Sequence, residues 1–277
     1  MNNSMISAMV SMGGIQKKLD IIADNIANMD TNGYKRKQST FEDVLTTAVQ
    51  HEEAMKLPGR MTPSGFTAGW GARLNTMSWD LSQGAMLNTG NPTDLAIEGD
   101  ALFEVNADGL TGWTRGGALQ LNPVEGDEEN VYLTTSQGYL IVDTEDQPIA
   151  VPNGYHIQVD EKGNVTAQQP GSTESEEIAR MKLVQPRRPD LLTQTDDNLF
   201  VVAGNADPTV VLAAIDMDEP LDEQKSVAVR QGFLEQSNVS LTDEIADMMQ
   251  VQRAYQLTAR ALTSSDNMMG LVNTLRA

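Results

Sequence analysis

Few residues in this chain have the types and spacing that acid–base or metal chemistry requires. His51 stands beside Glu52 and Glu53, the one place where an imidazole meets carboxylates locally. Successive helical side chains point about 100° apart, so these three do not converge on one ion, and a solvated loop explains them. The other histidine, His156, lies in a strand-like run far along the chain. No cysteine is present, which removes thiolate ligands, thiol nucleophiles and disulfides. Two distant histidines leave little material for a serine triad or an imidazole metal site. Asp196-Asp197 and the group Asp143, Glu145, Asp146 offer paired acids, but the latter lacks the calcium-loop pattern and its closing glutamate. Turn and surface roles fit both. The glycines between Gly59 and Gly71 follow no phosphate-cradling spacing. Trp70, Trp79 and Trp113 would suit sugar stacking, yet core or subunit packing is simpler. The sequence therefore assigns no catalytic, cofactor-binding or metal residue and reads as a non-enzyme.

What it does carry is periodicity at both ends. Met1, Met5, Ala8, Met12, Ile15, Leu19, Ile22, Ile26 and Met29 recur with alternating gaps of four and three, a heptad seam. A helix of that length runs roughly 40 Å and needs a partner helix to cover it. After Met248, the positions Val251, Tyr255, Thr258, Leu262, Ser265, Met269 and Val272 repeat the alternation. Thr258 and Ser265 make this second seam less apolar, leaving room for more than one pairing. Met and Ala pack adaptably and specify weakly, so both helices are expected to pack fully only among copies of themselves.

The middle of the chain changes period. From Ala72 to Asp216, short alternating or apolar runs such as Leu102 to Val105, Tyr155 to Val159 and Leu199 to Val202 are separated by turn residues, which predicts an all-β body. Asp143 to Asp146 and Asp160 to Asn164 fall where hairpin turns belong. Spacing does not decide between sandwich and barrel. The fold class is α+β: terminal N- and C-helices form a coiled-coil-like stalk around an inserted all-β central domain. The expected divisions are 1-39 for the N-terminal helix, 40-72 for a short helix and extended arm, 73-216 for the β body, 217-235 for a return linker and 236-277 for the C-terminal helix. The short helix rests on Phe41, Val44, Leu45 and Ala48 sharing one face. Pro186-Arg187-Arg188-Pro189 reads as a rigid extended connector.

The formal charge is -20, and the segment between the two ends holds nearly all of it. Such a body repels phosphates, which argues against nucleic acid and anionic membrane surfaces. The longest apolar run is far below the 18 residues of a spanning helix. The first cation is Lys17, with no compact apolar region after it, so the start does not read as a cleavable signal peptide.

Three groups of residues resemble one known family. Leu19-Asp20-Ile21-Ile22-Ala23-Asp24-Asn25-Ile26-Ala27-Asn28, with Thr31, Gly33, Tyr34 and Lys35, is similar to the N-terminal signature of bacterial flagellar rod and hook proteins, the axial proteins of the basal body. Thr89-Gly90-Asn91-Pro92, Asp94 to Ile97, Gly99, Phe103 and Thr114-Arg115-Gly117 resemble the family's central motif. Gly232, Leu234-Glu235, Ser237-Asn238-Val239, Glu244, Met248, Gln252 to Tyr255, Asp266 and Met268-Met269 resemble its C-terminal signature. Two departures occur: Asp100-Ala101-Leu102 replaces the usual glycine and aromatic residue, and Val124 to Asn130 lengthens a hairpin.

The resemblance implies a structural subunit of the distal rod or rod-hook junction. Its terminal helices would polymerise into an inner tube. Its partners would be copies of itself, neighbouring rod and hook proteins and the export apparatus, and it would be exported to the basal body without a cleaved signal peptide. The residues expected at the assembly interface are Ile15, Leu19, Ile22, Asn25, Ile26, Asn28, Gly33, Tyr34, Ser237, Asn238, Val239, Met248, Gln252, Arg253, Tyr255, Leu262 and Met269. Asn25 and Asn28 are expected to hydrogen-bond across packed helices, and Arg253 to meet an acid of a neighbouring subunit. A hook or proximal-rod protein of the same family is the nearest alternative, and a secreted β-rich adhesin the alternative from another class.

Overall fold

The computed structural model describes residues 2–43, 47–50, 65–68, 72–107, 109–124, 129–171, 175–195, 198–202, 204, 207–215 and 227–276. Contacts divide the chain into two units, one of residues 1–26, 37–78 and 241–277, the other of residues 27–36 and 79–240. The architecture is α+β, with terminal helices in contact inside the first unit and a β-rich region between them in sequence.

In the first unit α1 spans Asn2–Ala27. Its buried side chains, Ile21, Ile22 and Asn25 among the described residues, lie at the end nearest the turn, while Ile6 and Met9 are exposed. Strands β1 (Lys37–Asp43), β2 (Thr47–Gln50), β3 (Gly65–Ala68) and β4 (Ala72–Trp79) follow. They pair as β1 with β4 and β2 with β3. This corrects the short helix expected over residues 40–49. Thr40 and Phe41 favour a pleated surface, and a helical match of four apolar positions is too short to outweigh a partner strand. Lys18 Nζ lies 5.6 Å from the Phe41 ring centre, covering that half-exposed ring with a cation. Most of the 51–72 arm, with His51, Glu52, Glu53 and Trp70, lies outside the described residues.

The second unit contains β5 (Met86–Asn88), β6 (Leu95–Glu98), β7 (Leu102–Ala107), β8 (Leu110–Thr114), β9 (Leu119–Pro123), β10 (Asn130–Thr135), β11 (Leu140–Ile141) and β12 (Ala150–Pro152). It continues through β13 (His156–Val159), β14 (Asn164–Gln168), β15 (Ser175–Arg180), β16 (Leu183–Pro186), β17 (Leu192–Gln194) and β18 (Leu199–Val202). The helical turn α2 (Pro208–Val211), β19 (Leu212–Ala214), β20 (Ala228–Gln231) and β21 (Phe233–Glu235) complete it. The main sheet runs β12-β10-β11-β7-β8-β18-β17, with β9 on β10 and β16 bridging β7 and β19; β13-β14-β15 form a separate three-stranded sheet.

Strand β7 carries a core on both faces, because successive side chains alternate. Phe103 and Val105 join Leu95, Ile97, Leu133, Ile141 and Val165 in the larger core. Leu102 joins Trp79, Trp113, Val184, Phe200 and Val211 in a smaller one. Trp79 donates Nε1–H to Leu192 O at 3.0 Å and meets Phe200 edge to face, so Trp79 and Trp113 are packing residues. The two acidic turns form where expected. Asp143 Oδ1 accepts from the Glu145 and Gln147 amides, and Asp160 Oδ1 from that of Lys162.

Three further differences from the sequence reading concern boundaries. Residues 27–36, expected with the helix, belong to the β unit. The return linker ends in β20 and β21, which pair with β6 and β5. Within the predicted all-β stretch from Ala72 to Asp216, residues 208–211 form α2 rather than strand, since Asp207 caps Thr209 N and Pro208 sets the first helical φ.

The last element, α3 (Leu241–Arg276), is 36 residues long, about 54 Å at 1.5 Å per residue. Ser240 precedes it, and Asp243 and Glu244 sit in its first turn, where carboxylates complement the helix dipole.

Candidate functional site

The three signatures read in the sequence converge on one carboxylate. Glu235, on β21, is 2% exposed. Its Oε1 accepts from Lys35 Nζ at 2.7 Å and from Gly84 N at 2.8 Å, while its Oε2 accepts from Arg115 Nε. Lys35 Nζ also donates to Ser82 O, and Arg115 donates from Nη1 to Ala101 O and from Nη2 to Ile97 O. Two cations and one anion are thus buried together with their hydrogen bonds made, the condition under which buried charge is tolerated. Burial pushes the Glu235 carboxyl up, but the neighbouring Arg115 and Lys35 outweigh this and hold it below its ordinary value. Burial, reinforced by Arg115, lowers Lys35 by more than Glu235 raises it.

The backbone around this cluster is stitched by the same signatures. Gly33 N donates to Glu235 O at 2.8 Å, and Gly33 has φ 71°, a conformation that favours glycine. Asn238 accepts from Arg36 N and donates to Asp80 O and Ser82 O. Asp94 O accepts from Gly232 N, and Thr89 Oγ1 donates to Asp94 Oδ2. Gly117 approaches so closely that a Cβ there would lie 1.5 Å from Leu95 O. Gly33 and Asn238, expected at the assembly interface, thus also bond within the β unit, where Tyr34 is 2% exposed. Lys35, Arg115 and Glu235 were not singled out by periodicity. Their signal was a lone charge within a recognised apolar or glycine-rich motif.

In the first unit Asn25 is buried and grips the backbone of Lys37, donating to its carbonyl at 3.0 Å and accepting from its amide at 2.9 Å. Asn28 accepts from Thr31 Oγ1. These bonds tie down the end of α1 and the turn that follows it.

Helix α3 carries two apolar stripes. Met248, Val251, Tyr255, Thr258, Leu262, Ser265 and Met269 are buried or half-buried, so the second seam lies on the covered face. Gln252 and Arg253 are exposed beside it. A second series, Leu257, Ala261, Ser264, Met268, Leu271 and Leu275, repeats gaps of four and three and is exposed throughout. Leu257 and Leu271 are each 64% exposed and Leu275 87%. On α1, Ile15, Leu19 and Ile26 are half-buried and Ile22 buried.

Enzyme-like features are occupied. A groove of about 460 Å³ on the β unit includes Glu104, Asp146 and Lys182. Lys182 binds both carboxylates, and Trp113 Nε1 donates to Glu104. Burial lowers Lys182, but those two hydrogen-bonded acids more than compensate and raise it, so the acids serve an ion pair. Asp196 and Asp197 lie outside the described residues; among the described ones no group of acids or histidines is arranged to hold a metal.

Residues 15–35 match the family model described as flagella basal body rod protein, and residues 96–167 the flagellar hook protein FlgE/F/G D1 domain. Residues 230–275 match the C-terminal model of the flagellar basal body rod FlgEFG protein. Along its length the chain is 30% identical to the flagellar basal-body rod protein FlgG of Borreliella burgdorferi, over 100% of this chain and 99% of that one. The chain belongs to the flagellar basal-body rod FlgEFG family. FlgG of Buchnera aphidicola subsp. Baizongia pistaciae is also 30% identical, over 94% of each chain, and the flagellar hook-basal body complex protein FlhP of Bacillus subtilis 28%, over both chains entirely. This rod protein is FlgG-like and structural rather than enzymatic. The matched regions include Lys35, Arg115 and Glu235 and parts of both helix seams.

Proposed function

We propose that this rod protein builds the distal rod, or the rod-hook junction, by polymerising through its terminal helices. The observation that carries the reading is the second stripe of α3. A 36-residue helix with one apolar seam covered and another fully exposed is not satisfied by one copy of the chain. Copies joined head to tail through unlike surfaces form an open helical filament, which is what a rod requires. Its neighbours are other copies and further axial proteins of the hook-basal body complex. The distal position is supported by the full-length match to FlgG proteins. The chain travels to the basal body unfolded, a route consistent with its lack of cysteine.

Leu19→Asp and Ile26→Asp test this directly. Each places a charge on the α1 seam, and incorporation into basal bodies is expected to be lost while the β unit keeps its thermal transition. Normal motility in such a strain contradicts the reading.

A further inference from the structure

We propose that Arg187 and Arg188 form a docking finger that binds the exposed glutamates Glu176 and Glu177 of a second copy of the chain, an inference that rests on the rod reading above. The finger is built before anything binds. The amides of both arginines donate to Val211 O, at 2.8 and 3.2 Å, and Val211 is fully buried. Pro186 stands opposite Leu212 in the ladder, and Pro189 opens a 3-10 turn in which Leu191 N returns to Arg188 O. With the backbone held on both sides, binding orders only two side chains, which lowers its entropic cost.

The side chains themselves are exposed. Lys35, Arg115, Lys182 and Arg230 of the same unit each hold a carboxylate. Among the described residues, Arg187 and Arg188 have no ion pair, although Asp190 is close in sequence. An unneutralised guanidinium pair is out of place on a chain with 39 acidic and 19 basic residues. Copies stacked in a filament bring such acidic units together, and the repulsion favours any cation presented across the contact.

The receiving surface is the free edge of the three-stranded sheet. Strand β15 pairs only with β14 in that sheet, and its Glu176 and Glu177 are exposed, with no ion pair among the described residues. Carboxylates accept the planar fork of arginine bidentately, and because successive strand side chains alternate, Glu176 and Glu177 present one carboxylate on each face of the edge. The finger follows β16 and the edge is β15, so the contact is between unlike surfaces and repeats from copy to copy.

The cysteine-free chain makes the test clean. Arg188→Cys and Glu177→Cys, carried on separate full-length chains expressed together, should give a disulfide-linked dimer in oxidised basal bodies. Neither variant alone should. Absence of the dimer from basal bodies that contain both variants overturns the proposal. In parallel, Arg187→Glu with Arg188→Glu should lower incorporation about fivefold, and adding Glu176→Lys with Glu177→Lys should restore it. Loss without restoration overturns the pairing. So does unchanged incorporation coupled with arginine-dependent binding to phosphatidylglycerol vesicles, which assigns the pair to an anionic surface. If the wild-type chain itself is missing from basal bodies, the rod reading fails and the proposal with it.

Discussion

Removing the Glu235 carboxylate leaves Lys35 and Arg115 as two buried cations without their shared anion. We expect Glu235→Ala to destabilise the β unit by about 3–5 kcal/mol, read from the denaturant midpoint at neutral pH. The acid dependence follows from the sign of the shifts. Glu235 titrates below its ordinary 4.5 in the folded chain, so its contribution is fully present above that value and is lost as pH falls through the folded one. Lys35 is lowered from 10.5, so its burial costs stability at neutral pH, a cost that fades as pH rises through the folded value. Glu235→Gln should therefore give a less stable protein whose stability changes less with pH below 4.5 than that of the wild type. Gly117→Ala is expected to destabilise the β unit by at least about 2 kcal/mol, because Leu95 O occupies the place of the new methyl. At this scale the sequence was only partly legible. The signatures marked Gly33, Asn238 and Glu235 as important, but a surface contact and an internal joint require the same polar residue types, and only packing separates them.

At the scale of elements, α3 separates folding from assembly. Val251 is 7% exposed on the covered seam, whereas Leu271 is 64% exposed on the open one. Val251→Asp is expected to lower the stability of the helical unit by about 3 kcal/mol. Leu271→Asp should change monomer melting by no more than about 0.5 kcal/mol yet prevent incorporation into basal bodies. The helices were readable because a heptad period held over many turns averages out single exceptions. Strand β1 was misread because a short window around Phe41 and Val44 satisfies a helical period by accident. β20 and β21 were missed because their partners are remote: Val229 pairs with Ile97 and Leu234 with Leu87, and no local pattern announces such a ladder. The second stripe of α3 was present in the sequence as well. Ala261 and Ser264 diluted it, and it became visible only when the first stripe was seen to be covered.

For the whole molecule, the account turns on what covers the open stripe. A chain with charge -20 resists crowding, so the apolar gain from its helices must exceed the repulsion between its β units. Cysteine placed at an exposed stripe position reports that coverage in one step, since the natural chain has none. The decisive measurement is the rate at which Leu271→Cys reacts with a water-soluble maleimide in the free monomer and in isolated basal bodies. Rapid labelling of the monomer with strong protection in the basal body is the expected result; equal labelling in both would show that sister copies do not cover the helix.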